Sequence, residues 1–259
     1  MKLDLYHLDA FARRPFEGNP AAVCPLAEWP DDALLQAIAT ENNLSETAFF
    51  VREGEGYRLR WFTPSVEVEL CGHATLASAW VLFNALGEPR ETLRFFTRSG
   101  ELRVSRAGEA LAMDFPAKHP EPVAEPDAVL AALGLASADV QMTDDILVAV
   151  DDEASVVALA PDLRALAALP GRGVVVTAPG REFDIVSRWF GPKVGVDEDP
   201  VTGSAHTSLA PYWSRRLGKR RLTSRQGGRR QGELVCEVDG ERVVLTGQVV
   251  PYLTGTIHV

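Results

Sequence analysis

At 259 residues, 46% hydrophobic and 24% charged, the chain can bury one or two substantial cores. Its formal net charge of −10 argues against nucleic acid and against an anionic membrane surface as partners. Three scattered cysteines, Cys24, Cys71 and Cys236, make no disulfide framework and fit a reducing cytoplasm.

The opening MKLDLYHLDAF has no apolar core of signal-peptide length and reads as a strand, Lys2 to Phe11, in a protein complete from Met1. A strand at Ala21 to Cys24 follows, then a helix from Asp31 to Glu41 with Asp31 or Asp32 as N-cap and Leu34, Leu35, Ile38 and Ala39 as its apolar face. Strands are predicted near Glu46 to Arg52 and Tyr57 to Phe62. The next helix, His73 to about Leu86, is apolar on nearly every side, which predicts a buried spine inside a curved sheet. Strands near Glu91 to Phe96, Glu101 to Arg106 and Ala110 to Phe115 complete a first lobe, residues 1–116. The proline-rich PAKHPEPVAEP, ending at Pro126, reads as a linker over residues 117–126.

A second lobe, residues 127–259, opens with a helix from Asp127 to Leu133 stopped by Gly134. Strands are predicted at Ile146 to Val150, Ser155 to Ala158, Val174 to Thr177 and Phe183 to Phe190. A helix then follows Gly203, in which Pro211 is expected to shorten or kink the run. Strands Glu233 to Val238 and Arg242 to Gly247 follow, with a tail that can return to the first lobe. The basic run Arg215, Arg216, Lys219, Arg220, Arg221, Arg225, Arg229 and Arg230 reads as a solvated helix end and hairpin, with an anion-steering rim as the alternative.

The two halves echo one another. RWFTPSVEVELCGHATLASAW, from Arg60, returns as RWFGPKVGVDEDPVTGSAHTSLAPYW, from Arg188, about half a chain later. Each copy runs strand, polar turn, glycine, helix. This predicts an α+β fold of two pseudo-symmetric lobes, each a curved mixed β-sheet around a central helix. Gly72 and Gly203 stand where helix N–H groups lack intrahelical acceptors, so the turns favour an anion, with tight-turn glycines as the plain alternative.

No dinucleotide-binding glycine fingerprint or Walker-type loop is present, and none of the four lysines sits in an apolar segment suited to a Schiff base. The chemistry is therefore expected to use side chains and no cofactor. At the first turn these are Cys71 and His73; at the second, Asp197, Glu198, Asp199, Thr202, Ser204 and His206. Glu46, at the mouth of an apolar strand, is expected to be partly desolvated and to exchange a proton near neutrality, or else to be an exposed helix-terminus carboxylate. A metal held by His73, His206 and Asp199 is a further alternative, with no metal-binding spacing to support it.

Four segments, FEGNPAAV, NLSETAF, FTPSVEVELCGHATLASA and EDPVTGSAH, resemble in order and spacing the PhzF-like phenazine-biosynthesis isomerase family, whose fold is related to diaminopimelate epimerase and proline racemase. The resemblance spans nearly the whole chain. It implies an active site between the lobes, no cofactor, and proton-transfer isomerisation. On the matching positions Glu46 is the implied proton-shuttling acid/base, His73 and Asp199 its partners, and Gly72, Thr202, Gly203 and Ser204 the substrate-binding residues. The epimerases use two thiols; here Cys71 has no opposite thiol, so amino-acid racemisation by that route is disfavoured and Cys71 reads as a small buried residue. The expectation is a cytoplasmic homodimeric isomerase acting on a small anionic, carboxylate-bearing metabolite. A non-catalytic metabolite-binding or regulatory protein on the same fold is the rival.

Overall fold

The computed structural model describes residues 1–259, which form a mixed α+β structure. Contacts divide the chain into two units, Met1–Asp114 with Thr246–Val259, and Phe115–Leu245.

In the first unit, strand Lys2–Ala10 pairs antiparallel with Asn19–Leu26 on one edge and with Val249–His258 on the other. Between Ala10 and Asn19 the chain turns through Phe11, Phe16 and Gly18, all at positive φ. A Cβ on Gly18 would lie 2.1 Å from the Ala10 carbonyl oxygen, so only glycine fits there. Helix Asp32–Asn42 starts under Asp31, whose carboxylate accepts from Ala33 N–H, and stops at Asn43 in the left-handed region. That stop turns the chain into strand Glu46–Glu53, parallel to Asn19–Leu26 with Glu46 opposite Ala21. Gly56–Phe62 pairs antiparallel with it, Thr92–Thr97 pairs parallel with Gly56–Phe62, and Gly100–Ala107 then pairs antiparallel with Thr92–Thr97.

The central helix Gly72–Trp80 packs against several of these strands, above all Lys2–Ala10, Asn19–Leu26 and Glu46–Glu53, so the sheet curves around it. His73 through Ala79 are all buried. The α-helix does not reach Leu86 as the periodicity predicts. It widens into a π-helical turn over Val81–Ala85, with Leu86 N–H donating to the Val81 carbonyl, and Val81, Leu82 and Phe83 are all buried. Packing of three consecutive apolar residues wins over regular helical spacing.

The second unit repeats the pairing scheme. Ile146–Ala149 runs parallel to Val174–Pro179, which pairs antiparallel with Ile185–Gly191; that strand is parallel to Arg221–Gln226, itself antiparallel to Gly232–Asp239. Val129, Ile146, Val148, Val174, Val176, Val186 and Phe190 are the heart of its core. The predicted strand at Ser155 to Ala158 is instead a short helix, Glu153–Val157, because Asp152 caps it by accepting from Ser155 N–H at 2.8 Å. Strands Asp139–Met142 and Arg221–Gln226 and helix Leu163–Ala167 had no clear periodic signal.

Pro211 neither shortens nor breaks helix Gly203–Leu217. Proline removes the hydrogen bond to the carbonyl four residues back, that of Thr207, and here Lys118 N–H donates to this oxygen at 2.9 Å. The surrounding proline-rich segment is bonded into the unit at further points: Ala117 N–H donates to Glu241, Val123 N–H to Val140, and Glu121–Pro122 pairs with Gln141–Met142. The three cysteines are free and buried. No helix is long and apolar enough to cross a membrane.

Candidate active site

The repeated RWF triplet has a structural task. Arg60 donates twice to Glu67, both at 2.8 Å, and lies over the Phe62 ring at 5.1 Å. Arg188 donates twice to Glu198, at 2.8 and 2.9 Å, and lies over the Phe190 ring at 4.9 Å. Both tryptophans, Trp61 and Trp189, are buried. Each bidentate pair ties the triplet's strand to the short strand that precedes the helix, Glu67–Val68 in the first unit and Val196–Asp199 in the second. The repeat thus fixes how the chain enters each central helix.

In the first unit this entry brings Glu46, Cys71 and His73 together. Glu46 is the first residue of its strand and His73 lies in the first turn of the helix. His73 Nε2 lies 3.1 Å from Glu46 Oε2, with the imidazole 7% and the carboxylate 18% exposed. The angle between them falls short of a well-formed hydrogen bond, and neither atom has another partner. Nδ1 of the same ring lies 3.5 Å from Cys71 Sγ. Thr75 Oγ1 donates to the Cys71 carbonyl at 2.6 Å, which fixes the backbone beneath the thiol.

Burial by itself would lower the His73 pKa. The close approach of Cys71 and of the Glu46 carboxylate outweighs that effect, so the His73 pKa is held well above its ordinary range. Burial, reinforced by the nearby Glu46 carboxylate, pushes the Cys71 thiol up to about 11, so the sulfur carries its proton at neutral pH. The three ligand-type groups lie within 4.8 Å of one another. Cys71 approaches Nδ1 and Glu46 approaches Nε2 of the same ring.

The second unit gathers Asp199, Thr202, Gly203 and Ser204 at the start of helix Gly203–Leu217. Thr202 Oγ1 donates to Asp199 Oδ2 at 2.5 Å. Gln226, fully buried on the adjacent strand, holds this turn with three bonds: its Oε1 accepts from Thr202 N–H at 3.1 Å, while its Nε2 donates to the Asp199 carbonyl and to Thr202 Oγ1, both at 3.0 Å. Arg172 donates to Ser204 Oγ at 2.8 Å and bidentately to Asp145, at 3.0 and 2.5 Å. The residue after each glycine is thus met by a side chain at the entry of a strand: His73 by Glu46, Ser204 by Arg172. Gln226, Arg172 and Asp145 had no signal in the sequence, because their partners are remote along the chain.

His206 is a different histidine from His73. Its Nδ1 lies 2.9 Å from the Thr202 carbonyl, which can only accept, so Nδ1 bears the proton and Nε2 accepts from Ser224 Oγ at 2.8 Å. Both nitrogens are thereby engaged, and burial brings the pKa down to about 4. The alternative of a metal held by His73, His206 and Asp199 loses its second imidazole. Gly72 and Gly203 are ordinary first residues of α-helices and not left-handed turn residues, so the anion reading rests only on open helix N–H groups and close backbone approach. Four of the eight cations in the basic run are in ion pairs: Arg216 pairs with Asp139, Lys219 with Asp184, Arg220 with Asp239, and Arg225 with Glu182 and Glu233.

The family model described as phenazine biosynthesis-like protein, PhzC-PhzF, matches residues 8–255. An uncharacterized isomerase from Pseudomonas aeruginosa is 65% identical over 258 residues, covering 100% of both chains. Among solved structures, a PhzF-family phenazine biosynthesis protein from Enterococcus faecalis is 46% identical with a TM-score of 0.97, covering 100% of each chain. A probable proline racemase from Agrobacterium radiobacter, 12% identical, shares the fold alone at a TM-score of 0.63, with 99% of this chain and 92% of that chain covered.

Proposed function

Since the chain belongs to the PhzF, or phenazine biosynthesis-like, family and is an isomerase of that family, we propose that it moves a proton by acid/base catalysis on a small carboxylate-bearing metabolite, using side chains alone. The observation that supports this most is the 3.1 Å approach of His73 Nε2 to Glu46 Oε2, with the imidazole buried and the carboxylate partly so. A carboxylate beside an imidazolium is a base whose charge is stabilised, and the pair can hold one mobile proton. In the proposed cycle Glu46 takes a proton from a substrate carbon, the electron pair shifts into the adjacent unsaturated or carbonyl group, and the proton returns at a different carbon. His73 compensates the charge of Glu46 at both stages.

Asp199 is proposed as a second proton-handling group, held by the Thr202 hydroxyl. Gly72, Thr202, Gly203 and Ser204 are proposed to bind the substrate through backbone N–H groups and hydroxyls. The test is solvent-deuterium incorporation, followed by NMR, across a panel of aromatic and amino-acid-derived carboxylates. With a turned-over compound in hand, Glu46→Gln is expected to lower turnover by roughly a hundredfold or more, as loss of a general base does. Unchanged turnover removes Glu46 from the mechanism. Asp199→Asn, assayed alongside, decides whether the second-unit carboxylate serves the same reaction.

A further inference from the structure

Cys71 has no catalytic thiol partner, yet its sulfur faces the ring of the histidine that meets Glu46. We propose that Cys71 is a positioning residue that donates its S–H to His73 Nδ1 and so keeps the ring's remaining proton on Nε2, facing Glu46. The inference rests on Glu46 and His73 acting as a pair, and it adds the group that sets the histidine's proton.

The argument is a count of donors and acceptors. A neutral imidazole has one N–H and one lone pair, which can be placed in two ways. With the proton on Nδ1, the Nε2 lone pair would face the Glu46 carboxylate at 3.1 Å, acceptor against acceptor, while both nearby side chains are buried or nearly so. With the proton on Nε2, that N–H lies beside the carboxylate and is attracted to it, although the angle falls short of a well-formed hydrogen bond, and Nδ1 needs a donor. Cys71 Sγ, 3.5 Å away and 6% exposed, is the side chain in place to supply one. The thiol stays protonated because burial and the neighbouring carboxylate oppose its ionisation. When the ring takes a second proton the roles at Nδ1 reverse, and the sulfur accepts from Nδ1–H. The Nε2–H therefore faces Glu46 in both states of the ring, and only the Nδ1 side changes.

His206 supplies an internal comparison. Its bond to the Thr202 carbonyl fixes the opposite tautomer, with the proton on Nδ1. Two buried histidines in one chain should therefore differ in which nitrogen is protonated. The source of the difference is local: a thiol donor beside one Nδ1 and a carbonyl acceptor beside the other.

The test is two-dimensional NMR of the full chain with 15N-labelled histidine, in which one-bond and longer-range couplings distinguish the two tautomers. His73→Gln identifies the signals of His73 among the five histidines. At alkaline pH, where the ring is neutral, wild-type His73 is expected to be the Nε2–H form and His206 the Nδ1–H form. Cys71→Ala should give His73 a mixture of tautomers, and Cys71→Ser, which keeps a donor, should restore the Nε2–H form. His206 should be unchanged in both variants, which reports that the fold is intact. A neutral His73 protonated on Nδ1, a Cys71→Ala spectrum identical to wild type, or a ring that stays doubly protonated at every pH the fold tolerates would overturn the assignment. Because no step of this experiment needs turnover, its failure leaves the acid/base reading standing, and an inactive Glu46→Gln variant does not bear on it.

Discussion

Removing the Gln226 carboxamide should loosen the turn that carries Asp199 and Thr202. The side chain is fully buried, and its orientation is unambiguous, because Thr202 N–H must face the amide oxygen and the Asp199 carbonyl must face the amide nitrogen. In Gln226→Ala the Thr202 N–H loses the amide oxygen and the Asp199 carbonyl loses one donor, while Thr202 Oγ1 keeps its bond to Asp199. A buried backbone N–H left unsatisfied costs about 1–3 kcal/mol, and the two bonds lost from the amide nitrogen add about 0.5–1.5 kcal/mol each, which together give about 2–4 kcal/mol after water enters the vacated space. The direct assay is hydrogen exchange at the Thr202 amide, with urea unfolding as the global measure. A local loss of about 3 kcal/mol corresponds to exchange roughly a hundredfold faster at that amide, since about 1.4 kcal/mol is a factor of ten. Unaltered Thr202 exchange together with a stability within about 0.5 kcal/mol of wild type would refute the reasoning.

Arg172→Met should destabilise the second unit by about 3–5 kcal/mol, because it strands the Asp145 carboxylate, whose side chain is 4% exposed; Arg172→Met combined with Asp145→Asn should recover part of that loss in urea melts. His206 should make stability depend on pH in the mildly acidic range. Its folded pKa of about 4 lies below the ordinary 6.5, so the unfolded chain binds the proton first, and stability falls as pH drops from about 6.5 to about 4. The whole contribution is about 3 kcal/mol, and the difference between wild type and His206→Gln across that window should shrink as pH falls. A difference that stays constant with pH would rule out a neutral buried imidazole.

The duplication was legible because it is written in local order: an RWF strand, a polar turn, a glycine, a helix. The Arg60–Glu67 and Arg188–Glu198 clamps show what that order encodes. The placing of Glu46 was also legible in part, since the Asn43 left-handed stop is a property of the segment itself. Its meeting with His73 was implied by resemblance and not by spacing. Gln226 and Arg172 could not be read, because each acts on a turn more than twenty residues away and leaves no periodic trace. The misread strand at Ser155 to Ala158 has a simple cause: two adjacent valines suggest extended chain, but an N-cap three residues upstream decides the matter. His73 and His206, both in the first turns of central helices, differ because a carbonyl meets one Nδ1 and a thiol the other.

The pairing of Lys2–Ala10 with Val249–His258 has a consequence for the order of assembly. The second unit is one continuous stretch, Phe115–Leu245, and every residue it needs has been synthesised before Val249 is reached. The first unit, begun earlier, lacks a full-length neighbour for its first strand until that later strand arrives. Joining the two closes a loop of most of the chain, the kind of long-range step that folds slowly. On a ribosome the half that starts first should therefore finish last, leaving one edge of Lys2–Ala10 open to other strands in the interval.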